Sequence, residues 1–389
     1  MNDEPIVVVG AGIAGLALSA FLSRHGRHVI IFERRSEIGI DGAGIQLTAN
    51  AVSVIDALGL TAELREKAHT PEGLTVHSGF SGRAIVTLPF GAAYEARFGY
   101  PYHVIHRADL GSVLLEACRR EGVEIQFEAG FKGAHERPDG RLQIDTETGE
   151  RTTPLLIGAD GVRSKVRNLV SEAQPTFSGR TAYRALIPGD AIRDAAELDL
   201  SVWLGPHAHL VAYPVDQGRF LNVVAVVQSD PQSITGNGSG QSIHSAFRRF
   251  AKLPSALTAG DHDWTSWPLF TIDPKFPWHK GRIAILGDAA HAMVPFLAQG
   301  GGAALEDAAV LAAALLKHDQ PAAAFAEFET TRRKRVSKIW YEAQKTGARY
   351  HWSGPMATAR DIGLRAMGGD RLLNRYSWIY EWRAPEISA

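Results

Sequence analysis

A glycine-rich turn near the amino terminus constrains this chain more than any other feature. The run Ile6-Val7-Val8-Val9 has the length and β-branched composition of a buried parallel strand. The turn Gly10-Ala11-Gly12-Ile13-Ala14-Gly15 follows it. Apolar residues then predict a helix over 14–25, and Val-Ile-Ile-Phe at 29–32 predicts a second parallel strand. We therefore expect a β-α-β unit of about 30 residues.

Each glycine of this turn has a separate role in a dinucleotide site. Gly10 permits the tight turn, Gly12 lets the backbone approach a pyrophosphate, and Gly15 lets the helix pack close to the sheet. The helix N-terminus presents free N–H groups and a positive dipole end to the phosphates. Glu33 ends the second strand, where a carboxylate can accept both hydroxyls of an adenosine ribose.

Composition excludes several other classes. The 389 residues suggest two or three domains. The formal net charge of −1 creates no field that would attract nucleic acid or anionic lipid, so neither partner is expected. The single cysteine, Cys118, excludes an internal disulfide and favours a reducing, cytoplasmic location. Acidic residues precede the apolar run 6–22, so it is not predicted to be a signal peptide.

Two further turns join a glycine to a carboxylate after an apolar strand. Gly158-Ala159-Asp160-Gly161 follows a short strand at 155–158, and Gly287-Asp288-Ala289-Ala290-His291 follows another at 283–286. Each alone is as readily an ordinary strand and turn. Their order behind the first glycine turn favours a shared nucleotide site. A glycine stretch then leads into a predicted helix at 303–317.

The middle and the end of the chain differ from these segments. Strand-like runs at 74–88, 202–204, 210–213 and 220–227 alternate with turns, a surface loop is predicted at 236–240, and the tail after 322 reads as helical. We therefore predict a discontinuous nucleotide domain, an inserted and mainly antiparallel substrate domain, and C-terminal helices. The predicted ranges are 1–73, 102–175 and 279–340 for the first, 74–101 and 176–278 for the second, and 341–389 for the third.

The three turns together resemble the group A flavoprotein monooxygenases, which include the salicylate and hydroxybenzoate hydroxylases. The resemblance runs from about residue 5 to residue 383. It implies an α/β fold whose FAD-binding Rossmann-like (GR2-type) domain is assembled from non-contiguous segments. It also implies FAD as the cofactor, NADH or NADPH as co-substrate, and hydroxylation with O2 through a flavin C4a-hydroperoxide.

The resemblance carries cofactor roles to individual residues. Glu33 would hold the adenosine ribose, Asp288 the ribityl chain, and Asp160 would lie in a motif linked to both FAD and the nicotinamide. Arg107, in a His-Arg-x-x-Leu segment, would approach the FAD, and Pro295 with Gly300 and Gly301 would lie along the isoalloxazine ring. Backbone N–H groups leading into the helix can stabilise the reduced flavin anion. The remaining cofactor contacts implied are Gly10, Gly12, Ala14, Gly15, Arg34 and Gln46.

Local strings within that family look most like the 3-hydroxybenzoate 6-hydroxylases. They include residues 205–214, 183–185, 298–300 and 378–382. The resemblance implies that His209, Tyr213 and Gln299 line the substrate pocket. On a strand, His209 and Tyr213 point the same way. Histidine titrates near neutrality and suits a phenol base, while the other two can donate hydrogen bonds to a carboxylate.

A metal is not expected at this site. His207 and His209 have no third ligand in evidence.

Several features of the sequence leave more than one substrate open. Thr48-Ala49 replaces a Gly-Pro common in the family, residues 291–296 resemble salicylate and pyridine-carboxylate hydroxylases, and Gln46 stands where 6-hydroxynicotinate enzymes carry histidine. We predict a small phenolic acid, first 3-hydroxybenzoate converted to gentisate, with salicylate or a hydroxypyridine carboxylate as alternatives.

Other classes stay open at this stage. They are an NAD-dependent dehydrogenase, a flavin-dependent halogenase or epoxidase, and a flavin-bound regulator without turnover. A monomer and a homodimer fit the sequence equally.

Overall fold

A six-stranded, largely parallel sheet forms one half of the molecule. The computed structural model describes residues 4–39, 44–192, 198–230 and 240–387. The strands of this sheet are β1 (Ile6–Val9), β2 (Val29–Phe32), β7 (Glu124–Gln126), β11 (Leu156–Gly158), β17 (His279–Lys280) and β18 (Ile283–Ile285). Their order is β17-β18-β11-β1-β2-β7, and only the edge strand β17 runs antiparallel. The first two strands coincide with the predicted ones.

Helices cover this sheet, because parallel strands bury both faces. They are α1 (Ile13–Arg24), α2 (Ala49–Ala57), α3 (Thr61–Lys67), α5 (Arg107–Arg120), α6 (Arg167–Val170), α9 (Asp288–His291) and α10 (Gly300–Lys317). Residues 13–22 of α1 are all buried, since this helix packs between the sheet, α5 and α10. Helix α10 begins three residues before the predicted start, so its first turn consists of glycines.

A seven-stranded sheet forms the second half. Its strands are β4 (Gly73–Ser78), β5 (Ala84–Pro89), β12 (Thr176–Pro188), β13 (Leu200–Gly205), β14 (Ala208–Val215), β15 (Phe220–Gln228) and β16 (Thr265–Thr271). Their order is β16-β12-β15-β14-β13-β4-β5, and every pairing is antiparallel except β13 with β4. The apolar residues of one face, such as Trp203, Leu210 and Val223, pack in one cluster with α7 (Gly240–Phe247) and α8 (Lys252–Ala259). The opposite face of this sheet is not covered by α7 and α8.

Smaller elements complete the two halves. They are β3 (Gly44–Leu47) paired with β6 (His103–His106), the sheet of β8 (Phe131–Glu136), β9 (Leu142–Thr146) and β10 (Gly149–Thr153), the helix α4 (Gly91–Phe98), and the tail helices α11 (Pro321–Tyr350) and α12 (Gly354–Tyr380). Helix α11 packs on α10, and α12 packs on β5. Within the described ranges, no helix combines the length and apolar character that crossing a bilayer requires.

The predicted α/β class is confirmed by the two sheets and their covering helices. The strands of the six-stranded sheet all fall in the three segments predicted for the nucleotide domain. The division into domains stays a prediction, and its boundary after residue 340 falls inside the continuous helix α11. The loop predicted at 236–240 lies outside the described residues up to Gly240, where α7 begins.

Two glycine-to-alanine variants, one in α1 and one control, test the close packing of α1 against the first glycine turn. Such a change inside a helix normally stabilises it by about 0.5–1 kcal/mol. A β-carbon on Gly15 would lie 2.0 Å from the carbonyl oxygen of Gly10. We therefore expect Gly15→Ala to lower the free energy of unfolding by about 1–3 kcal/mol.

Gly363→Ala is the matched control, because Gly363 lies in α12 and a β-carbon there meets no atom within 4 Å. Chemical denaturation of both variants measures the effect. Equal stabilisation by both changes would contradict the packing described.

Candidate active site

The first glycine turn has the geometry that the predicted glycine roles require. Gly10 has a φ of +105°, and a β-carbon on it would lie 2.5 Å from the carbonyl oxygen of Ala159. Gly15 is blocked in the same way by the carbonyl oxygen of Gly10. A β-carbon on Gly12 would meet no atom within 4 Å. The turn is closed where helix and strand pack, and open where a pyrophosphate would approach.

The three glycine turns lie side by side. β11 pairs with β1 on one side and with β18 on the other, all parallel, so the turns that follow them meet at one edge of the sheet. Gly10 of the first turn packs on Ala159 of the second. A β-carbon on Gly287 of the third turn would lie 3.3 Å from the β-carbon of Ala14. Segments far apart in sequence therefore form one continuous surface.

The carboxylates near these turns have different surroundings. Glu33 accepts hydrogen bonds from the backbone N–H groups of Ala11 (2.8 Å) and Arg35 (3.0 Å), so it braces the first turn. Asp160 Oδ2 accepts from the backbone N–H of Lys165 at 2.7 Å. Its Oδ1 is buried without a partner among the described residues, and burial raises the pKa of this carboxyl group. Asp288 is exposed on the same surface.

Some of the residues predicted to lie near the flavin are open to a ligand, and others are packed against protein. Gly300 is open, since a β-carbon there meets nothing within 4 Å, and Pro295 is exposed. A β-carbon on Gly301 would lie 2.5 Å from Ile45 Cδ1, so the start of α10 approaches β3 closely. This N-terminus offers bare backbone N–H groups, as the predicted stabilisation of a reduced flavin requires. Arg34 is exposed beyond β2.

Gln299 belongs to a buried polar network. Its side chain is 1 % exposed, its Nε2 donates to Thr48 Oγ1 at 3.0 Å, and its Oε1 accepts from Asn50 Nδ2 at 3.1 Å. Asn50 Nδ2 also donates to Glu306 at 2.6 Å. These contacts use the carbonyl oxygen of Gln299 and one of its two N–H donors, and the predicted contact between Gln299 and a substrate carboxylate stays a prediction that the second donor would have to make.

An ionic cluster extends this network to the tail. Arg332 of α11 is fully buried between Glu306 (2.5 Å) and Asp307 (2.7 Å) of α10. Arg335 also contacts Glu306, at 2.7 Å. Asp307 Oδ2 accepts from the backbone N–H of Gly287 at 2.9 Å. The cluster therefore connects the third glycine turn, α10 and the tail.

His209 and Tyr213 lie on the same face of β14, as strand alternation predicts. The two residues are four positions apart, and alternate residues of a strand share a face. Their partners on β15, Val226 opposite His209 and Asn222 opposite Tyr213, are also four positions apart and lie on the same face. Both predicted residues are 2 % exposed. Val211 between them is only partly buried. This face is the one not covered by α7 and α8.

His209 is enclosed by the end of α11 and the residues before α10. Its Nδ1 lies 2.8 Å from His351 Nε2, and its ring centroid lies 5.3 Å from those of Phe296 and Tyr350. Arg180 Nε donates to His351 Nδ1 at 3.3 Å. Burial, with the nearby positive groups, holds the pKa of His209 well below its usual value and lowers that of His351 to about 3. Both imidazoles are therefore neutral near pH 7.

Tyr213 closes the other end of this face. Its hydroxyl would lie 2.5 Å from a β-carbon on Gly44, so only glycine fits there. Burial raises the pKa of Tyr213, which keeps its hydroxyl protonated and able to donate. Gln46 accepts a hydrogen bond from Tyr102 at 2.5 Å and also faces Tyr213. Gln46, which was predicted to contact the cofactor, therefore lies between Tyr102 and Tyr213.

Two groups at this face were not assigned from the sequence. His351 contacts His209 across 142 positions of the chain, and no local pattern marks it. Arg184 occurs in a family-like string, yet its chemistry was not used. Its Nε is buried without a hydrogen-bond partner among the described residues. Burial lowers the pKa of Arg184, and the positive charge of Arg107 lowers it further.

The donor set fits a bound FAD. Gly12 and Gly300 expose backbone where phosphates and a reduced ring would need N–H groups, and the orphaned Oδ1 of Asp160 can accept from a hydroxyl or N–H group. The fold and the three joined turns define a flavin-dependent oxidoreductase.

Comparison with known proteins also indicates a flavin-dependent enzyme. The chain matches the family model described as an FAD binding domain over residues 3–343. It is 32 % identical over 382 residues to 3-hydroxybenzoate 6-hydroxylase of Klebsiella oxytoca, covering 97 % of this chain and 96 % of that protein. It is 33 % identical to 3-amino-4-hydroxybenzoate 2-monooxygenase of Streptomyces cremeus, with coverage of 97 % and 95 %.

Solved structures share the fold. HpxO of Klebsiella pneumoniae, complexed with FAD and uric acid, superimposes with a TM-score of 0.86 at 25 % identity, covering 98 % of this chain and 97 % of that one. A salicylate hydroxylase in complex with its substrate superimposes with a TM-score of 0.81 at 24 % identity, and both chains are fully covered. The chain belongs to the FAD-binding family named above, and it is an FAD-dependent aromatic monooxygenase that uses NAD(P)H and O2.

Gly12→Ala tests the pyrophosphate position. The fold has room for this β-carbon, whereas a bound pyrophosphate would meet it. We expect the Kd for FAD, measured by quenching of flavin fluorescence, to rise about tenfold or more. The melting temperature of the FAD-free protein should stay unchanged. Unaltered FAD affinity would place the cofactor elsewhere.

Proposed function

We propose that this enzyme hydroxylates a monohydroxybenzoate, with 3-hydroxybenzoate converted to gentisate as the first candidate. The observation that carries the proposal is the shared face of β14, where polar His209 and Tyr213 flank the partly buried Val211. An apolar floor with polar groups at its ends suits a ring that bears a hydroxyl and a carboxylate. The names of the two relatives above, which act on hydroxybenzoates, support the same substrate class.

The chemistry divides between cofactor and protein. When bound, FAD accepts reducing equivalents from NAD(P)H and supplies activated oxygen. The protein orients the aromatic acid, excludes water and controls the phenolic proton. A phenolate is a better carbon nucleophile than a phenol, so stabilising the phenolate favours attack of the ring carbon on oxygen.

Hydrogen bonding determines how His209 would serve this purpose. Because Arg180 donates to His351 Nδ1, His351 carries its proton on Nε2 and donates it to His209 Nδ1. His209 then carries its own proton on Nε2. In this tautomer His209 donates a hydrogen bond to the phenolic oxygen and stabilises the phenolate. This role replaces the general base predicted from the sequence, and the lowered pKa of His209 supports it.

A second candidate is a hydroxypyridine carboxylate. The 6-hydroxynicotinate 3-monooxygenase of Bordetella bronchiseptica is 30 % identical over 351 residues, covering 87 % of this chain and 90 % of that protein. Such a substrate has the same pairing of a ring hydroxyl with a carboxylate. Salicylate is the third compound of this class.

Location and assembly stay predictions. The only cysteine, Cys118, is buried, and burial raises the pKa of its thiol to about 12. Such a thiol is unreactive in either redox compartment, so the cytoplasmic location continues to rest on the scarcity of cysteine in the sequence. Monomer and homodimer are both retained.

A substrate panel tests the proposed function. The purified holoenzyme is supplied with NADH, O2 and either 3-hydroxybenzoate, salicylate or 6-hydroxynicotinate. We expect 3-hydroxybenzoate to accelerate NADH oxidation about tenfold or more and to yield gentisate, identified by mass and retention time. If no acid of the panel is hydroxylated, the proposal is wrong.

Two substitutions of His209 separate the roles of donor and base. His209→Ala removes both, so we expect NADH oxidation to continue while most of the oxygen is released as hydrogen peroxide. His209→Gln keeps an N–H donor but no proton-accepting nitrogen, and it should retain several-fold more coupled hydroxylation than His209→Ala.

The measurement is the ratio of product to NADH consumed. Equal losses in the two variants would exclude the donor role. Full coupling in His209→Ala would remove the residue from the mechanism.

A further inference from the structure

Arg184 lies on the same sheet face as His209 and Tyr213. On β12 it is opposite Val224 of β15, which is opposite Val211 of β14. This row of residues runs between the row of His209 and the row of Tyr213. Successive rows on one face are about 7 Å apart. The arginine therefore extends from the same face as His209 and Tyr213, at a level between them and two strands away from β14.

The row around Arg184 is the open part of this face. Val211, Val224 and Arg184 are only partly buried, whereas His209 and Tyr213 are each 2 % exposed. Trp267 of β16 borders the row, with its ring centroid 5.4 Å from the guanidinium carbon and 37 % of its surface exposed. The two valines lie opposite each other on adjacent strands and form an apolar floor on which an aromatic ring can lie. The tryptophan packs against the guanidinium beside this floor.

The guanidinium of Arg184 has no counter-ion in the part of the chain that the structure describes. None of the ion pairs among the described residues includes it, and its buried Nε has no hydrogen-bond partner there. Its electrostatic neighbours are a second cation, Arg107, and the neutral hydroxyl of Tyr213. The buried Nε without an acceptor is unfavourable, and a ligand that brings negative charge to this partly buried guanidinium would relieve it. This cost points to an anionic ligand.

Other groups do not meet this need. The amide of Gln299 is held by Thr48 and Asn50. Tyr213 offers a single neutral donor. A guanidinium, in contrast, can bind a carboxylate through two parallel N–H bonds.

We propose that Arg184 is the anchor for the substrate carboxylate, binding it beside an aromatic ring that lies on Val211 and Val224. This inference rests on the proposed function and narrows it to aromatic acids over neutral phenols. His209 would hold the ring hydroxyl at one side of the floor, and Arg184 with Tyr213 would hold the carboxylate at the other. The cofactor is the second source of negative charge near this face, so the experiment must separate the two.

The experiment compares an acid with its uncharged amide. Binding of 3-hydroxybenzoate and of 3-hydroxybenzamide to oxidised holoenzyme is followed by the change in flavin absorbance. The wild type should bind the acid about 100-fold more tightly than the amide. Arg184→Gln should lose about 100-fold in affinity for the acid, with little change for the amide. Arg184→Lys, which keeps the charge, should retain a preference for the acid.

FAD affinity and melting temperature serve as controls. Both should change little in Arg184→Gln, whereas selective loss of FAD would assign Arg184 to the cofactor and overturn the proposal. An unchanged acid preference in Arg184→Gln would also overturn it, while the proposed function would stand. If Arg184→Gln does not fold, the affinities of the wild type and of Arg184→Lys for acid and amide test the proposal instead. Equal affinity of the wild type for acid and amide would refute the role of Arg184 as carboxylate anchor. A wild type that binds and hydroxylates none of the panel acids refutes the proposed function itself.

Discussion

The buried ion cluster of Arg332, Glu306 and Asp307 is the interaction on which the site depends most. All three side chains are 0 % exposed, and the guanidinium contacts both carboxylates at 2.5 and 2.7 Å. Burial alone would raise the pKa of each carboxyl group, but the surrounding positive groups outweigh it and hold both below their usual values. Removing one member of such a cluster typically costs about 3–5 kcal/mol, because it leaves an unpaired buried charge.

This cluster explains how the tail helices contribute to a nucleotide site they do not directly enter. Asp307 holds the backbone N–H of Gly287, and Glu306 holds Asn50 of α2. The start of α10 is thereby fixed relative to the third glycine turn. An N-terminus that stabilises a flavin anion must be oriented before the charge develops, since reorientation would cost free energy in each turnover.

Local sequence patterns were sufficient for the nucleotide half of the fold. The strands β1 and β2 match the prediction because β-branched runs bounded by glycine leave few alternative conformations. The close packing at Gly10 and Gly15 followed from backbone geometry, which depends on a few neighbouring residues, whereas the role of Gly12 beside a pyrophosphate stays a prediction. The start of α10 was predicted too late, since glycines are poor helix formers and the close approach of Gly301 to β3 and of Gly302 to α2 is a tertiary feature.

The substrate side was less predictable. Strand alternation put His209 and Tyr213 on one face, but it carried no information about what packs over that face. The amide of Gln299 looked free in sequence, and in the folded protein it is held by Thr48 and Asn50. The hydrogen-bond partner of His209 is His351 at the end of α11, which in turn accepts from Arg180 of β12, and the long intervening segments leave no periodic signal.

By itself, the sequence determined the cofactor class and the half of the fold that binds it, because glycine turns and strand periodicity act over short distances. The tertiary structure alone decided that His209 is paired with His351, that Arg184 has no counter-ion among the described residues, and that the tail helix α11 is joined to α10 through buried ion pairs. Those properties depend on side chains brought together by chain closure over many residues. Their charges and hydrogen bonds acquire chemical meaning only once water has been excluded around them.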